Sequence, residues 1–442
     1  MSVNRLLLLE LNEVNFEIAE GYVSSRPGRY PAIEKLLQGA QIKTRAETTY
    51  EELEPWIQWV SVHTGLSYAE HKVYRLGDIN DCAEKQIFEE LEEQGFRVGS
   101  VSAMNAANRL RDPAYFIPDP WTNTAADTSW WSRKLHTAIA QAVNDNAQEN
   151  ITPQNLFTVF FAVLRFARPK HYRHYLRLAL RAKGASWRKA LFLDLLLCDV
   201  HAAKYLRFSP NFSCLFLNAG AHIQHHYFFN AKPLANQVTL NNPHWYVDAD
   251  KDPFEEMLGV YDVILQDVLA TKGTEVVVAT GLSQRPYDRI KFYYRLRNHA
   301  SFLKLLGINF SNVEPRMTRD FLITFDNSED ASFADHVLKE VLVENSNDVL
   351  FKDIDNRGDN LFVTLTYPHE ITQDTYILFR GKRMSVYSHV VFVAIKNGMH
   401  QSEGFAFFTP DIAPFAPVNG SHVKELHETI LSYFRAKQSA VD

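Results

Sequence analysis

The chain has 442 residues, of which 46% are hydrophobic and 13% aromatic, so it is long and apolar enough to bury a large core. Its formal net charge of −6 argues against a nucleic-acid-binding protein that depends on overall positive charge. The three cysteines, Cys82, Cys198 and Cys214, are widely spaced and odd in number, which excludes a disulfide framework and a cysteine-based structural zinc site. These features favour a globular protein of a reducing compartment, the cytoplasm.

The first predicted element is a buried strand close to the N-terminus. Leu6 to Leu9 form an apolar run that is too short for a signal sequence or a membrane span. Continuously apolar runs of this length are typical of strands inside parallel sheets. Glu10, Asn12 and Glu13 follow the run and are expected at the carboxyl end of the strand, where α/β sheets place their ligands.

Helical and strand patterns then alternate along the chain. A helix is predicted to begin at Pro55, with the carboxylate of Glu54 at its N-terminus, and to end at Thr64-Gly65. An amphipathic helix over residues 86–93 and a short strand over residues 97–101 come next. A cluster of prolines interrupts this pattern and marks a first boundary near residue 125.

A basic helical segment is predicted after this boundary. Between Arg165 and Arg207 it carries eleven lysines and arginines but only two aspartates, which is an uneven distribution for an acidic protein. Three interpretations stay open: a solvated helical face, a cap that attracts an anionic substrate, and a surface that rests on anionic lipid.

A cluster of histidines follows the next apolar strand, at residues 212–217. His222, His225 and His226 lie within five residues, and the i, i+4 spacing of His222 and His226 places two imidazoles on one helical face. Neutral imidazole is a preferred ligand of divalent transition metals. His400 lies in a glycine-bounded turn after a later strand. His222, His226 and His400 are therefore predicted metal ligands, with a chance pairing of structural histidines as the alternative.

The rest of the chain completes an α/β architecture. A β-branched strand near residue 277 ends in the polar turn Gly281-Leu282-Ser283-Gln284. Residues 315–388 mix strand and helix patterns and are expected to form a small inserted subdomain. The predicted segments are the α/β core at 1–125, 210–314 and 389–442, the basic helical insert at 126–209, and the α+β subdomain at 315–388.

The order of these pieces resembles the alkaline-phosphatase-like superfamily, in particular its type I phosphodiesterase/nucleotide pyrophosphatase branch. That family has a helix ending in Thr-Gly and followed by a His-Gly motif, then an Asp-x-x-x-His and a late Gly-x-His-x-x-x-Gly. The similar pieces here are Thr64-Gly65 with Glu70-His71, then His222-x-x-x-His226, and His400 to Gly404. The resemblance implies a mostly parallel central sheet flanked by helices, carrying the basic insert and the subdomain as additions.

The sequence departs from the family pattern at three places. The metal-binding Asp of the first strand is absent, and Glu10 stands in its place, with Asn12 or Glu13 as the other options. No Thr or Ser nucleophile precedes Pro55, because the chain reads Glu-Leu-Glu there. The family's Asp-His-Gly turn is replaced by a turn with Leu282, which cannot bind a metal. The resemblance therefore implies one metal site, with zinc favoured and manganese or iron as alternatives.

The predicted function is a metal-dependent hydrolase or transferase that acts on a phosphoester, a phosphodiester or a similar anionic conjugate, such as a nucleotide-linked or glycan substrate. A metal with three protein ligands keeps an open position at which water is activated. Glu10 and Glu54 are the predicted catalytic carboxylates. The predicted substrate-binding residues are Asn12, Asn105, His225, Ser283 and Gln284.

A catalytically inactive protein of the same fold, serving as an accessory or binding protein, is the alternative function. It predicts that no metal binds and that Leu282 or an aromatic side chain fills the pocket. No nucleic acid is expected as a partner, and peripheral contact with an anionic membrane through residues 165–207 stays open, as does the oligomeric state.

Overall fold

The computed structural model describes residues 5–144, 153–316, 319–344, 346 and 348–439. The described residues fall into two compact units. The first, termed the core unit, comprises residues 5–143, 153–286 and 398–439, and the second unit comprises residue 144 and residues 287–316, 319–344, 346 and 348–397. The division of the chain into five segments, expected from the sequence, stays a prediction. Residues 145–152 of the basic insert lie outside the described residues.

The core unit alternates strands and helices. Its first elements are β1 (Leu6–Leu11), α1 (Phe16–Ser25), α2 (Pro31–Gln38), β2 (Ala40–Arg45), α3 (Pro55–Thr64), α4 (Tyr68–His71), α5 (Ile87–Glu93), β3 (Val98–Val101) and β4 (Tyr115–Ile117). They are followed by α6 (Trp130–Asn144), α7 (Pro153–Phe166), α8 (Tyr172–Leu180), α9 (Ser186–Phe208), β5 (Phe212–Leu217), α10 (Ala219–Tyr227), α11 (Pro253–Leu269), β6 (Glu275–Ala279) and β7 (Ser283–Leu296).

The second unit contains short strands and two helices. Its elements are α12 (His299–Leu305), β8 (Asn312–Pro315), β9 (Asp320–Thr324), α13 (Ser328–Lys339), β10 (Leu342–Val343), β11 (Asp353–Asn356), β12 (Asn360–Thr364), β13 (Tyr376–Phe379) and β14 (Lys382–Ser385). Strand β15 (Val390–Gln401) has residues in both units, as β7 does, and its residues from Gly398 onwards belong to the core unit. Strands β8, β9, β11 and β12 form one antiparallel sheet, and β10, β13 and β14 form another. The chain ends with β16 (Glu403–Phe408) and α14 (Glu425–Ser439) of the core unit.

A seven-stranded sheet with the order β2-β16-β6-β1-β5-β3-β4 forms the centre of the core unit. Strands β6, β1, β5, β3 and β4 are parallel, whereas β16 runs antiparallel to both of its neighbours, β6 and β2. All six residues of β1 are buried, as expected for a strand covered on both faces. The predicted fold class, a mostly parallel central sheet flanked by helices, is confirmed.

Two hydrophobic layers cover the opposite faces of this sheet. Because side chains alternate along a strand, Leu7 and Leu9 of β1 enter the layer formed with α1, α2, α9 and α11. Leu6 and Leu8 enter the other layer, formed with α3, α5 and α14. With both faces covered, the carboxyl ends of the parallel strands are the part of the sheet left for polar groups. None of the described helices combines the length and the hydrophobicity that crossing a membrane requires.

A buried carboxylate joins α9 to the start of α10. Asp194 accepts hydrogen bonds from the backbone N–H groups of Asn218 (3.2 Å) and Ala219 (2.8 Å) and from the hydroxyl of Tyr261 (2.8 Å). It therefore satisfies donors at the N-terminus of the helix that carries the histidine cluster. Burial raises the pKa of Asp194 to about 6, although these three hydrogen bonds act in the opposite direction.

The raised pKa of Asp194 leads to a pH-dependent stability. A carboxyl whose pKa is higher in the folded chain than in the unfolded chain contributes stability below the unfolded pKa of about 4 and loses it as the pH rises through the folded value. In the wild type the free energy of unfolding should therefore fall as the pH rises from about 4 to about 6. We expect this fall to be smaller in Asp194→Asn, as measured by urea denaturation at several pH values. The exposed Asp374→Asn serves as the control, and an unchanged slope in Asp194→Asn would contradict the assignment.

Candidate metal centre

Three polar side chains meet at the carboxyl edge of the central sheet. The Oε2 atom of Glu13 lies 3.1 Å from Nε2 of His225 and 3.0 Å from Nε2 of His400. The two Nε2 atoms are 3.2 Å apart, so the three donor atoms form a nearly equilateral triangle. Glu13, His225 and His400, termed the Glu13 cluster, make up one of two groups of potential metal ligands among the described residues.

Each member of the cluster is placed by a different element. Glu13 lies in the turn after β1 with a φ of 60°, in the left-handed region that is unfavourable for a non-glycine residue. Its backbone N–H donates to the carbonyl of Thr280 (3.0 Å), and its own carbonyl accepts from Nε2 of Gln224 (2.7 Å). His225 lies in the last turn of α10, which follows β5 directly, and His400 lies near the end of β15.

The donor atoms fit a single divalent transition metal. Zinc binds imidazole nitrogen at ~2.0–2.1 Å, which places neighbouring ligand atoms of a tetrahedral site ~3.3 Å apart. The three separations in the cluster, 3.0, 3.1 and 3.2 Å, are close to this value. Two histidines with one glutamate also form a known donor set of catalytic zinc sites, and two histidines with one carboxylate are typical of non-haem iron sites.

Glu13 supplies the negative charge of the cluster. Burial tends to raise the pKa of Glu13, but its contacts with His400 and His225 dominate and hold that pKa well below its usual range. The carboxylate is therefore ionised. It also accepts hydrogen bonds from Nε2 of Gln284 (2.5 Å, to Oε2) and from Nδ2 of Asn12 (3.1 Å, to Oε1).

A second layer of polar groups holds the cluster in place. Nδ2 of Asn12 also donates to Oδ1 of Asn218 (2.8 Å), and Oδ1 of Asn12 accepts from the indole of Trp59 (2.7 Å). On the far side of His400, Nδ1 lies 3.7 Å from Oε2 of Glu54, the residue that precedes α3. Carboxylates behind ligating histidines and amides behind ligating carboxylates orient the ligands and fix the tautomer.

The cluster is open to solvent on one side. The side chains of Glu13 and His400 are 2% and 9% exposed, whereas those of His225 and Glu54 are 24% and 34% exposed. The donor triangle is therefore least enclosed on the side of His225. Such an arrangement, with buried ligands and one accessible side, is typical of catalytic rather than structural metal sites.

The group of potential ligands at this edge differs from the ligand set predicted from the sequence. His400 lies in the cluster, but its histidine partner is His225, and no described group of ligating atoms within 4.8 Å includes His222 or His226. The rings of His222 and His226 contact each other, with centroids 4.8 Å apart. Burial, followed by the charge of His225, lowers the pKa of His222 to about 4.

The rotation of α10 explains this difference. Ile223 and Tyr227, at i and i+4, are buried in the core and fix the face of α10 that packs against the other helices. His225 then lies on the side that faces Glu13. The spacing of two histidines predicts that they share a helical face, but it does not predict which face meets the sheet edge.

Glu10, a predicted catalytic carboxylate, lies away from the Glu13 cluster. It is fully buried in the layer beneath α3, where its Oε1 is 2.7 Å from Nε2 of His63 and Cys214 is the third member of the group. Alternation along β1 points Glu10 to the same face as Leu8, whereas Glu13 in the turn reaches the edge. A carboxylate without access to solvent does not suit the predicted catalytic role.

The predicted substrate-binding residues have different surroundings. His225 belongs to the Glu13 cluster, and Gln284 donates a hydrogen bond to Oε2 of Glu13. Asn12 is buried beside Glu13 and donates to its Oε1. Asn105 is fully buried and binds backbone groups, since its Oδ1 accepts from the N–H of Gly77 (2.8 Å). Ser283 is also buried and donates to the carbonyl of Glu403 (2.5 Å). Both side chains are thus engaged within the protein, and their part in substrate binding stays a prediction.

The turn after β6 carries an apolar side chain at the position where the family resemblance expects a second metal. Leu282 is fully buried and forms a small cluster with Ala46 and Leu53. No described group of potential metal ligands includes a residue of this turn. The side chain of Leu282 offers no donor atom to a metal, and the number of metal sites stays a prediction.

Comparison with known proteins returns matches among solved structures only: no family model and no curated protein matches this chain. Phosphonoacetate hydrolase from Sinorhizobium meliloti 1021, solved with phosphonoacetate, matches with a TM-score of 0.41 and 12% identity over 98% of this chain and 96% of that chain. Murine ectonucleotide pyrophosphatase/phosphodiesterase 5, solved with AMP, matches with a TM-score of 0.41 and 8% identity over 98% and 95%. Alkaline phosphatase from the Antarctic bacterium TAB5 matches with a TM-score of 0.38 and 9% identity over 98% and 99%.

These matches include an alkaline phosphatase and a nucleotide pyrophosphatase/phosphodiesterase, the groups that the sequence resembles. The likeness concerns the fold alone. Because the identities and TM-scores are low, any function of this chain has to be argued from the side chains of its own site.

Proposed function

We propose that the protein is a metal-dependent hydrolase or transferase that acts on a phosphoester, a phosphodiester or a similar anionic conjugate through a single divalent metal. The observation that carries this proposal is the triangle of donor atoms from Glu13, His225 and His400, which is buried on one side and accessible on the other. Zinc suits the donor set best, and manganese or iron are the alternatives.

The residues of the cluster have separate roles in this proposal. Glu13 would bind the metal through Oε2, and His225 and His400 through Nε2. A divalent metal held there lowers the pKa of water towards ~7 and polarises a phosphoryl oxygen. Gln284 keeps Oε2 of Glu13 in place. Glu54 is a positioning residue, because a carboxylate facing Nδ1 of His400 favours the tautomer whose Nε2 is free to bind.

The start of α3 supports direct attack by water. Helix α3 begins at Pro55 after Glu54, so no hydroxyl or thiol nucleophile stands at the first position of this helix. A carboxylate at this point, half-exposed beside His400, would also repel a second anion and so restrict how an anionic substrate approaches. Nucleotide-linked and glycan conjugates are the substrates expected within this class.

A binding protein without catalytic activity is the second candidate function. Its specific support is Leu282, which packs against Ala46 and Leu53 at the position where the family resemblance expects a second metal. In this case the Glu13 cluster would be a structural feature or a ligand-binding site that does not turn over its ligand.

Hydrolysis assays separate the two candidates. Protein purified without a histidine tag and loaded with Zn²⁺ or Mn²⁺ is incubated with p-nitrophenyl phosphate, bis-p-nitrophenyl phosphate and the sulfate analogue. We expect turnover of at least one ester and a loss of ~10²-fold or more in kcat/KM for Glu13→Gln, which keeps the shape of the side chain but removes its charge. Glu17→Gln, at an exposed carboxylate in the first turn of α1, is the matched control. Full metal occupancy without turnover of any ester would favour the binding protein.

A further inference from the structure

Helix α7 exposes a row of large apolar side chains. Leu156, Phe157, Phe160, Phe161 and Leu164 are between 53% and 64% exposed. Their positions, i, i+1, i+4, i+5 and i+8, place them on one face of the helix, opposite the residues that pack on α9. A contiguous apolar face of this kind, exposed on a folded protein, is typical of a surface that binds a protein partner or a membrane.

The apolar surface continues on α6. Trp130, at the start of α6, is 57% exposed, and its ring contacts that of Trp131 edge-on. Trp131 in turn contacts Phe166 of α7. The two tryptophans and Phe157, Phe161 and Leu164 line an open groove of about 520 Å³, with Arg165 at its margin.

Helix α8 carries a second row in which apolar and basic side chains are adjacent. Tyr172, Leu176 and Leu180 are exposed at i, i+4 and i+8. Each is followed directly along the chain by an exposed arginine, at positions 173, 177 and 181. Long basic side chains beside an apolar stripe keep their charge in water while their stems cover apolar surface.

The stretch of sequence that contains α7 and α8 carries charges of one sign. From residue 151 to residue 193 the sequence contains nine lysines and arginines and no aspartate or glutamate. Three of these cations pair with carboxylates inside the core unit: Arg168 with Asp199 (2.5 Å), Arg188 with Glu256 (2.5 Å), and Lys170 with Asp267. The exposed cations include Arg165 on α7 and the three arginines, at positions 173, 177 and 181, that accompany the apolar row of α8.

Helix α9 is largely buried along its middle and contributes little to this surface. Leu191, Leu195 and Leu196 of α9 are buried in the core, and Nζ of the buried Lys204 donates to the hydroxyl of Ser132. Lys189, Leu206 and Arg207 of α9 are exposed as well, but the adjoining rows of exposed apolar and basic side chains lie on α7, α8 and the start of α6.

We propose that this surface, termed the α7–α8 surface and made of the exposed apolar and basic residues of α7 and α8 together with Trp130, binds an anionic lipid bilayer. Aromatic and leucine side chains insert at the boundary of headgroups and acyl chains, and neighbouring arginines bind lipid phosphates. A symmetric contact with a second copy of the chain is disfavoured, because it would bring two positively charged surfaces together.

Vesicle sedimentation tests the proposal. The full chain is incubated with vesicles of pure phosphatidylcholine or of phosphatidylcholine with ~30% phosphatidylglycerol as the anionic lipid. We expect the wild type to bind the anionic vesicles at least ~10-fold more tightly, and the binding to weaken as salt is added. The double variant Phe160→Ser/Phe161→Ser should lose ~10-fold or more in affinity, since insertion scales with apolar area.

Matched variants control for general effects of substitution. Phe333→Ser replaces an exposed phenylalanine of the second unit, and Lys382→Glu reverses an exposed charge there. Both should bind vesicles as the wild type does. Arg173→Glu/Arg177→Glu should remove the preference for anionic lipid, and it keeps the test decisive if the phenylalanine variant fails to fold by circular dichroism.

Three outcomes would overturn the proposal. The wild type could fail to sediment with anionic vesicles at low salt, or both surface variants could bind as tightly as the wild type. Analytical ultracentrifugation could also show a wild-type dimer that Phe160→Ser/Phe161→Ser dissociates, in which case the α7–α8 surface is a contact between copies. Because none of these substitutions touches the Glu13 cluster, the result is independent of the proposed hydrolase function.

Discussion

Replacing His225 or His400 with alanine is expected to abolish stoichiometric metal binding, whereas His222→Ala should leave it intact. The Nε2 atoms of His225 and His400 lie 3.2 Å apart and face the same carboxylate oxygen, while His222 contacts His226 instead. Loss of a group behind a ligand costs roughly 10–100-fold in metal affinity, and loss of a ligand itself should cost more than that.

Metal content by inductively coupled plasma mass spectrometry checks this expectation on protein without a histidine tag. After incubation with Zn²⁺ and gel filtration, the wild type and His222→Ala should each hold about one ion per chain, and the other two variants should hold much less. If His222→Ala lost the metal and His225→Ala kept it, the result would support the ligand set predicted from the sequence instead of the Glu13 cluster. A wild type that takes up neither Zn²⁺ nor Mn²⁺ would remove the basis of the proposed hydrolase.

Gly398→Ala is expected to have the second largest effect, although it adds a single methyl group. A Cβ atom at this position would lie 2.0 Å from Oε1 of Gln284 and 2.6 Å from the carbonyl oxygen of Gln224. Gln284 is fully buried and holds Oε2 of Glu13, and Gln224 holds the backbone of Glu13. The added methyl therefore forces a movement of groups that place a proposed metal ligand.

We expect Gly398→Ala to lower the free energy of unfolding by about 1–3 kcal/mol, the usual cost of overpacking, and to weaken zinc binding as well. Gly259→Ala is the matched control, because a methyl there meets no atom within 4 Å and helix α11 should gain ~0.5–1 kcal/mol from the change. Urea denaturation and zinc titration measure both quantities. Wild-type values in Gly398→Ala would mean that the contact is relieved without moving Gln284.

The central sheet could be predicted from the sequence, because its inner strands are buried on both faces and so read as apolar runs. β1, β5 and β6 were identifiable for this reason. The start of α3 was also predictable, since a carboxylate followed by proline is a specific signal for a helix N-terminus. These are local patterns, and local patterns determine the type of an element.

The ligands of the candidate metal site depend on contacts that no local pattern contains. Glu10 and Glu13 follow the same apolar run, and only the end of β1 and the turn after it decide which of them reaches the sheet edge. His222 and His225 differ only in their position around α10, which is set by packing against other helices. The apolar face of α7 has the same composition as a core helix, so its exposure could not be read from the sequence either.

The position of β16 has a consequence for the synthesis of the protein on the ribosome. Within the described sheet, β2 borders β16 alone, and β16 separates β2 from β6. A growing chain therefore carries β2, at residues 40–45, without a pairing partner until residues 403–408 have left the exit tunnel, and until then β6 has an open edge. Pairing between such distant segments is slow, and an open edge invites association with other chains. Molecular chaperones that shield nascent chains would act on this protein until its last strand is in place.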